Sequence, residues 1–363
     1  MIESMKSVIH NFNSGPSVLP KEVFEEASRA VLDFNNSGLS ILEIGHRTAL
    51  FEAVMEEARA TVKELMQLDA DHEVLFLHGG ATTQFMQVPM NLLNENDIAL
   101  YTDTGTWGSK AIKEAKLFGH VEIAGSSKDT NHTTIPKNLT VTQTASYLHI
   151  TTNETIAGTQ WHNLPYDRGV PLVADMSSDI LSRQLEFNKF DLIYAGAQKN
   201  MGAAGVNLVV VNKNILGKVN RRIPTILDYN NHIKEKSMLN TPPVFAVYVA
   251  MLTLRWLKDK GGIASIEKEN DDKAKLFYDT LDSLPVFKGP VAKEDRSKMN
   301  AVFIIEDAAL EKEFGERCKQ EGMYGIKGHR SVGGFRVSMY NALPLESVIA
   351  VTDLMKDFAN RKS

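Results

Sequence analysis

The sequence predicts an α/β protein: a large domain built on a mostly parallel sheet covered by helices, then a smaller α+β domain. Three observations carry this. Between about residues 50 and 230, short apolar runs alternate with amphipathic helical stretches, the order in which parallel strands and crossover helices follow one another. After Lys260-Gly261-Gly262 the order changes to a long charged helix, two separated strand candidates and two further helices. Finally, 363 residues with 43% hydrophobic content suffice for two domains and a large core. The expected division is an N-terminal segment 1–15, a large domain 16–260 and a small domain 261–363.

After an extended start, Asn11 to Pro16 form a turn cluster, and Ser14-Gly15-Pro16 within it reads equally as an ordinary turn. Pro20 opens a helix over Lys21 to Asp33, whose apolar residues Val23, Phe24, Ala27, Val31 and Leu32 recur at helical spacing. His46-Arg47 stands at the entrance of a second helix, Leu50 to Met66, placed to receive an anion or simply to be solvated. Val74 to Leu77 is a strand, His78-Gly79-Gly80 a turn, and a helix follows from Ala81. Such a turn presents free backbone N–H groups and a positive helix end to an anion, although plain connections look the same. It is neither a P-loop nor a G-x-G-x-x-G dinucleotide turn.

Ile98 to Tyr101 and Val121 to Ala124 read as strands flanking a helix from near Trp107 to Phe118. Trp107 is either core filling or a stacking plate for a flat ring. Tyr147 to Thr151 is a strand ending in Asn153-Glu154-Thr155, where the Thr155 hydroxyl can cap a turn or face a ligand. Polar Ser237 to Pro243 leads into a helix over Val244 to Lys258. A helix from Ile263 to Asp282, a strand Ala301 to Ile305, a helix around Cys318, a strand Phe335 to Met339 and a helix Leu345 to Asn360 complete the chain. Arg336 lies in an otherwise apolar strand, so it needs an acidic partner, either a structural carboxylate or a bound one.

The chemistry concentrates around Lys199. Leu192 to Ala195 is a buried strand, Val206 to Val211 another, and Gly196-Ala197-Gln198-Lys199-Asn200 connects them. A lysine there is either solvated or held at partial burial, where its pKa falls and its amine becomes a nucleophile or base. Val170 to Ala174 is a third run, closed by Asp175. Ligands of parallel sheets bind at the carboxyl ends of strands, so Asp175 and Lys199 can face one crevice. Pyridoxal phosphate chemistry needs that pair: a lysine to bond the cofactor, and a carboxylate to keep its ring nitrogen protonated.

A net charge of −5 disfavours a nucleic-acid partner. One cysteine, Cys318, excludes a disulfide framework or a cysteine metal cluster and suits a reducing compartment. No apolar run reaches membrane-spanning length and Met1 to Asn11 has no extended apolar core, so the expected location is the cytoplasm.

Taken together, Ser14-Gly15-Pro16, His46-Arg47, His78-Gly79-Gly80, Asn153-Glu154-Thr155, Asp175-Met176-Ser177-Ser178, Gly196 to Asn200, Asn240-Thr241-Pro242-Pro243, Lys327 to Arg330 and Arg336 with Tyr340-Asn341 resemble the phosphoserine aminotransferase family, in the family's order along the whole chain. The resemblance implies fold type I of the pyridoxal 5'-phosphate enzymes, with a seven-stranded sheet, in a homodimer that shares its active sites. It implies that Lys199 is the cofactor's covalent anchor and that Asp175 holds its ring nitrogen. Trp107 would stack on the ring, Thr155 would bond the ring hydroxyl, and Ala81, Thr82 and Gln198 would take the cofactor phosphate. Asn240 and Thr241 would reach that phosphate from the second subunit. Arg336 would grip the substrate α-carboxylate, with Ser14 beside the substrate, while His46, Arg47, His329 and Arg330 would surround the substrate phosphate. Several members of the family carry arginine where this chain has Thr82, so backbone N–H groups would bear more of the cofactor phosphate here.

The implied activity is ping-pong transamination between L-glutamate and 3-phosphohydroxypyruvate, giving 2-oxoglutarate and O-phospho-L-serine for serine biosynthesis. Some relatives also act on 4-phosphohydroxy-L-threonine in pyridoxine biosynthesis. Three rivals are weighed against it. A cysteine desulfurase needs a reactive cysteine on a loop, whereas Cys318 reads as helical. An alanine–glyoxylate enzyme leaves the basic residues without a guest, and an anion-binding scaffold leaves Lys199 and Asp175 unexplained.

Overall fold

The computed structural model describes residues 8–330 and 332–361. The first seven residues of the expected N-terminal segment, Met1 to Ser7, lie outside the described residues.

Seven strands form the main sheet: β1 (His72–His78), β2 (Ile98–Asp103), β3 (His120–Ser126), β4 (Tyr147–Thr151), β5 (Leu172–Asp175), β6 (Leu192–Gly196) and β7 (Val206–Asn212). Their order across the sheet is β1-β7-β6-β5-β4-β2-β3. Only β7 runs antiparallel to its neighbours, pairing Val206 with His78 on one side and Asn207 with Gly196 on the other. The sheet is therefore mostly parallel, as the alternating pattern predicts. Each of the seven strand expectations ends within two residues of the observed strand; at β5 the two residues left outside are Val170 and Pro171. Pro171 offers only its carbonyl, which accepts from Leu148 N at 2.8 Å.

Nine helices are described: α1 (Lys21–Leu32), α2 (Ala49–Leu65), α3 (Ala81–Leu92), α4 (Thr106–Ala115), α5 (Tyr229–Lys234), α6 (Val244–Asp259), α7 (Gly262–Ser283), α8 (Ala308–Gln320) and α9 (Leu345–Asn360). α4 ends three residues before the expected Phe118. There Leu117 and Phe118 turn back with tighter bonds to Glu114 and Ala115.

The period-2 alternation of the strands sorts their side chains onto two faces. Val74, Phe76, Leu148, Ile150, Ile193, Ala195, Leu208 and Val210 pack in one core with residues of α1, α2 and α6. Leu75, Leu77, Tyr101, Tyr147, Val173, Tyr194 and Val209 pack in another with Phe85 and Val88 of α3 and Ala111 and Ile112 of α4. Being apolar on both faces, these strands read as continuous hydrophobic runs, which is why they were visible in sequence.

A separate core lies in the C-terminal part, built on the antiparallel pair β8 (Asn300–Phe303) and β9 (Phe335–Ser338) with α7, α8 and α9. Phe12 belongs to this core, and His10–Asn11 pairs in parallel with Met323–Tyr324. The start of the chain is thereby fastened to its end. Cys318 is buried inside α8, and burial pushes its thiol up to about 12, so it is inert at neutral pH.

Candidate active site

A cavity of about 470 Å³ opens at the carboxyl ends of β4, β5 and β6, where Thr151, Asp175 and Gly196 reach its wall. This is the edge of a parallel sheet that fold geometry reserves for ligands. Lys199 lies on the turn between β6 and β7 and is 9% exposed. Its Nζ donates to Thr155 Oγ1 at 2.6 Å and stands 5.3 Å from the centre of the Trp107 ring. The neighbouring Asn200 fixes the turn, donating to Ile180 O at 2.6 Å and accepting from Asn341 N at 2.8 Å. From the other side Gly15 presses on the lysine stem. A Cβ there would meet Lys199 Cγ at 2.9 Å, and the φ of +130° itself favours glycine.

Burial lowers the Lys199 pKa from the ordinary 10.5 to about 8, against the opposing pull of the Asp175 and Glu154 carboxylates. Asp175, also buried, is shifted upward by desolvation. Ser177 counters that shift, its N–H donating to Asp175 Oδ1 at 2.9 Å. The Ser177 hydroxyl in turn accepts from Gly196 N at 3.1 Å, tying the ends of β5 and β6 together. A poised amine and a supported carboxylate thus face one space, as expected from the strand ends.

The anion end is formed by the turn before α3. Gly79 takes a φ of +90°, and Gly80 leads into Ala81 and Thr82, both of which line the cavity. The first N–H groups of α3 lack intrahelical acceptors, so they are available to a phosphate. Gln198 lines the same space from the β6–β7 turn. Gly196 borders this space, a Cβ there standing in ordinary contact with Ala81 N at 3.5 Å. Trp107, second residue of α4, forms another wall, and its Nε1 is buried without a partner among the described residues. That orphaned donor, the open helix end and the Asp175–Lys199 pair fit a flat, phosphate-bearing aldehyde such as pyridoxal phosphate.

Arg336 enters from β9 of the C-terminal part and is 8% exposed. It donates to Ser14 Oγ at 2.6 Å and to Thr155 O at 3.3 Å, while its Nε is buried without a partner. Among the described residues no carboxylate pairs with it, so no structural acid supplies the partner expected from the sequence. His329 and the adjacent, exposed Arg330 line the cavity as well. Four predicted residues are not brought here by the single chain. His46 and the exposed Arg47 sit just ahead of α2, and Asn240 with the exposed Thr241 lies beside His78, whose Nε2 bonds Thr241 O at 2.6 Å.

Sequence reasoning quoted Ser177 within the Asp175-Met176-Ser177-Ser178 motif without giving it a role, and missed Lys110. The position of Ser177 two residues after Asp175 was the signal for a carboxylate-capping turn. Lys110 lines the cavity with its amine 4.5 Å from the Trp107 ring centre. It stands one turn along α4 from Trp107, a spacing legible only once the helix is placed.

The family model for aminotransferase class-V matches residues 9–351. The phosphoserine aminotransferase of Flavobacterium johnsoniae is 57% identical over 348 residues, spanning 96% of this chain and 98% of that one. That of Parabacteroides distasonis is 52% identical over 351 residues, again 96% and 98%. Among solved structures, phosphoserine aminotransferase from Bacillus circulans subsp. alkalophilus superposes with a TM-score of 0.95 at 44% identity, covering 98% of this chain and 99% of that chain. The pyridoxal-phosphate-bound phosphoserine aminotransferase of Trichomonas vaginalis gives 0.91 at 35% identity, covering 96% and 100%. The chain belongs to the class-V aminotransferases and, within them, to the phosphoserine aminotransferase family.

Proposed function

We propose that the protein transfers an amino group between L-glutamate and 3-phosphohydroxypyruvate, forming 2-oxoglutarate and O-phospho-L-serine. The observation that carries this reading is the meeting, in one cavity, of an amine poised near neutrality and a buried guanidinium without a carboxylate, with His329 and Arg330 lining the same space. The first is a proton carrier, the second a receptor for an α-carboxylate, and the last two suit a distal anion.

Pyridoxal phosphate, when bound, supplies an electron sink for negative charge at the substrate α-carbon. In this reading the Asp175 carboxylate stabilises positive charge on the ring nitrogen, and Thr155 and Trp107 hold the ring plane. Ala81 and Thr82, at the start of α3, take the cofactor phosphate with Gln198. Lys199 Nζ accepts the proton from the substrate α-carbon, a task that a lysine with a pKa near 8 performs at physiological pH. Arg336 exchanges its Ser14 contact for the two oxygens of the α-carboxylate. His329 and Arg330 meet the distal carboxylate of glutamate in the first half-reaction and the substrate phosphate in the second.

The reading includes a cytoplasmic homodimer in which Asn240, Thr241, His46 and Arg47 complete the neighbouring site. It also includes the domain division at residues 260 and 261. Leu39, Leu42 and Leu50, close in sequence to His46 and Arg47, are large apolar side chains left exposed in the single chain, which supports a subunit contact along this stretch. Among the described residues no helix is long and apolar enough to cross a membrane. The test is to supply the purified protein with cofactor, glutamate and 3-phosphohydroxypyruvate. Equimolar O-phosphoserine and 2-oxoglutarate support the reading; product from neither substrate overturns it.

A further inference from the structure

Glu154 stands between two residues that line the cavity, Asn153 and Thr155, yet is itself 0% exposed and does not reach the cavity. Its carboxylate accepts from Gly108 N at 3.0 Å through Oε1 and from Trp107 N at 3.3 Å through Oε2. Both donors belong to the first turn of α4, where N–H groups have no partner within the helix. A helix usually meets this need with an N-cap side chain. Here the N-cap is Gly105, which has none, and the acceptor comes from a strand 46 and 47 residues further along the chain.

The glycine is there because the carboxylate is. A Cβ at position 105 would lie 2.5 Å from Glu154 Cδ and 2.6 Å from Oε2. The φ of 161° at Gly105 is an extended value open to any residue, so the steric demand comes from Glu154 and not from the backbone. Gly108 is constrained too, its Cβ position being 3.0 Å from Thr102 O and 3.4 Å from Oε1. No lysine, arginine or histidine pairs with Glu154 among the described residues. A buried carboxylate without a cation is costly, and desolvation pushes its pKa up to about 7 even against the two N–H bonds. The fold retains it at the one helix end that carries the indole wall of the cavity.

We infer that Glu154 is a positioning residue: by holding the N–H groups of Trp107 and Gly108 it sets the height and tilt of the Trp107 indole against the cofactor ring. The inference rests on the proposed cofactor site. Because Trp107 N is itself a bonded donor, any shift of the carboxylate moves the Trp107 backbone directly. Two substitutions disturb the contact by different means. Glu154→Gln keeps one acceptor oxygen but turns an NH2 group toward the other N–H. Gly105→Ala leaves both acceptor oxygens of Glu154 in place and inserts a methyl group against them.

The test measures steady-state kinetics and the circular dichroism of the cofactor's visible absorption band in the holoenzymes. In both variants kcat falls by about tenfold to a hundredfold, the scale expected of a small displacement in a reacting site. KM for both substrates stays within about twofold, and the visible dichroic band weakens although cofactor is bound. Because both changes break one contact, the double variant is no worse than the poorer single variant. Unchanged kcat and dichroism in both holoenzymes overturn the inference, as does a loss of thermal stability with the band intact. If Glu154→Gln fails to fold, Gly105→Ala supplies the same readouts. A wild-type protein that acquires no visible band from pyridoxal phosphate would refute the cofactor site instead, which separates the two failures.

Discussion

Lys199, the proposed proton carrier, is buried at the expense of stability, and the size of that cost can be worked from its surroundings. In the unfolded chain its pKa is the ordinary 10.5; in the fold it is about 8. That difference corresponds to roughly 3 kcal/mol, by which the folded site disfavours the charged amine. The group's folded pKa is depressed, so below pH 8 it is protonated in both states and the full cost is present. Between pH 8 and 10.5 the unfolded chain binds the proton more tightly, and stability from this group rises with pH. Replacing Lys199 by methionine removes the cost together with the bond to Thr155 Oγ1, worth about 1 kcal/mol. The cofactor-free Lys199→Met protein should therefore be more stable than cofactor-free wild type by about 2 kcal/mol at pH 7. Above pH 10.5 the sign should reverse, leaving it less stable by about 1 kcal/mol. Urea unfolding of both proteins at pH 7 and pH 10.5 measures the difference directly, because other titrating groups are common to both. A variant less stable at pH 7, or a difference that does not change with pH, would refute a buried and depressed Lys199.

Further consequences can be read from the same contacts. Lys199→Ala should abolish turnover while the protein remains folded by far-ultraviolet dichroism. Arg336→Ala should raise KM for glutamate by at least about tenfold, since a charge-assisted bond to a carboxylate contributes about 1.5–3 kcal/mol; steady-state kinetics with glutamate as the varied substrate checks this. Gly15→Ala places a methyl 2.9 Å from Lys199 Cγ at a φ of +130°. It should cost about 1–3 kcal/mol by denaturant unfolding and lower kcat as well. Asp175→Asn should lower kcat by about a hundredfold or more while the variant still takes up cofactor, as judged by its visible absorbance.

What could be read in the sequence was what is local. Six of the seven sheet strands are apolar on both faces, so their runs stand out, while β3 at the sheet edge is mostly exposed; Asp175, Thr155 and Lys199 were visible because each closes or follows such a buried run. The contacts that finish the site are long-range. Ser14 meets Arg336 across 322 residues, and Glu154 meets Trp107 across 47. No periodicity encodes such pairings; they appear when β4, α4 and the C-terminal part are brought together. The alternatives for Arg336 narrowed for the same reason, because only the fold shows that no carboxylate among the described residues pairs with it. The short helix α5 was missed since six residues are too few for an amphipathic pattern. His46, Arg47, Asn240 and Thr241 were legible as motifs, while the single chain does not bring them to the cavity and only the proposed homodimer would.

The central claim is that this cavity recognises a phosphorylated acceptor, and the most direct measurement compares kcat/KM for 3-phosphohydroxypyruvate, unphosphorylated hydroxypyruvate and glyoxylate, each with glutamate as donor. If His329 and Arg330, with His46 and Arg47 from a partner, hold the phosphate, two or more charge-assisted contacts of about 1.5–3 kcal/mol each separate the acceptors. The expected result is a preference of about a hundredfold or more for the phosphorylated acceptor, reduced at least about tenfold by Arg330→Ala. Equal or reversed preference would leave a transaminase built on Lys199 and contradict the assignment of its substrate.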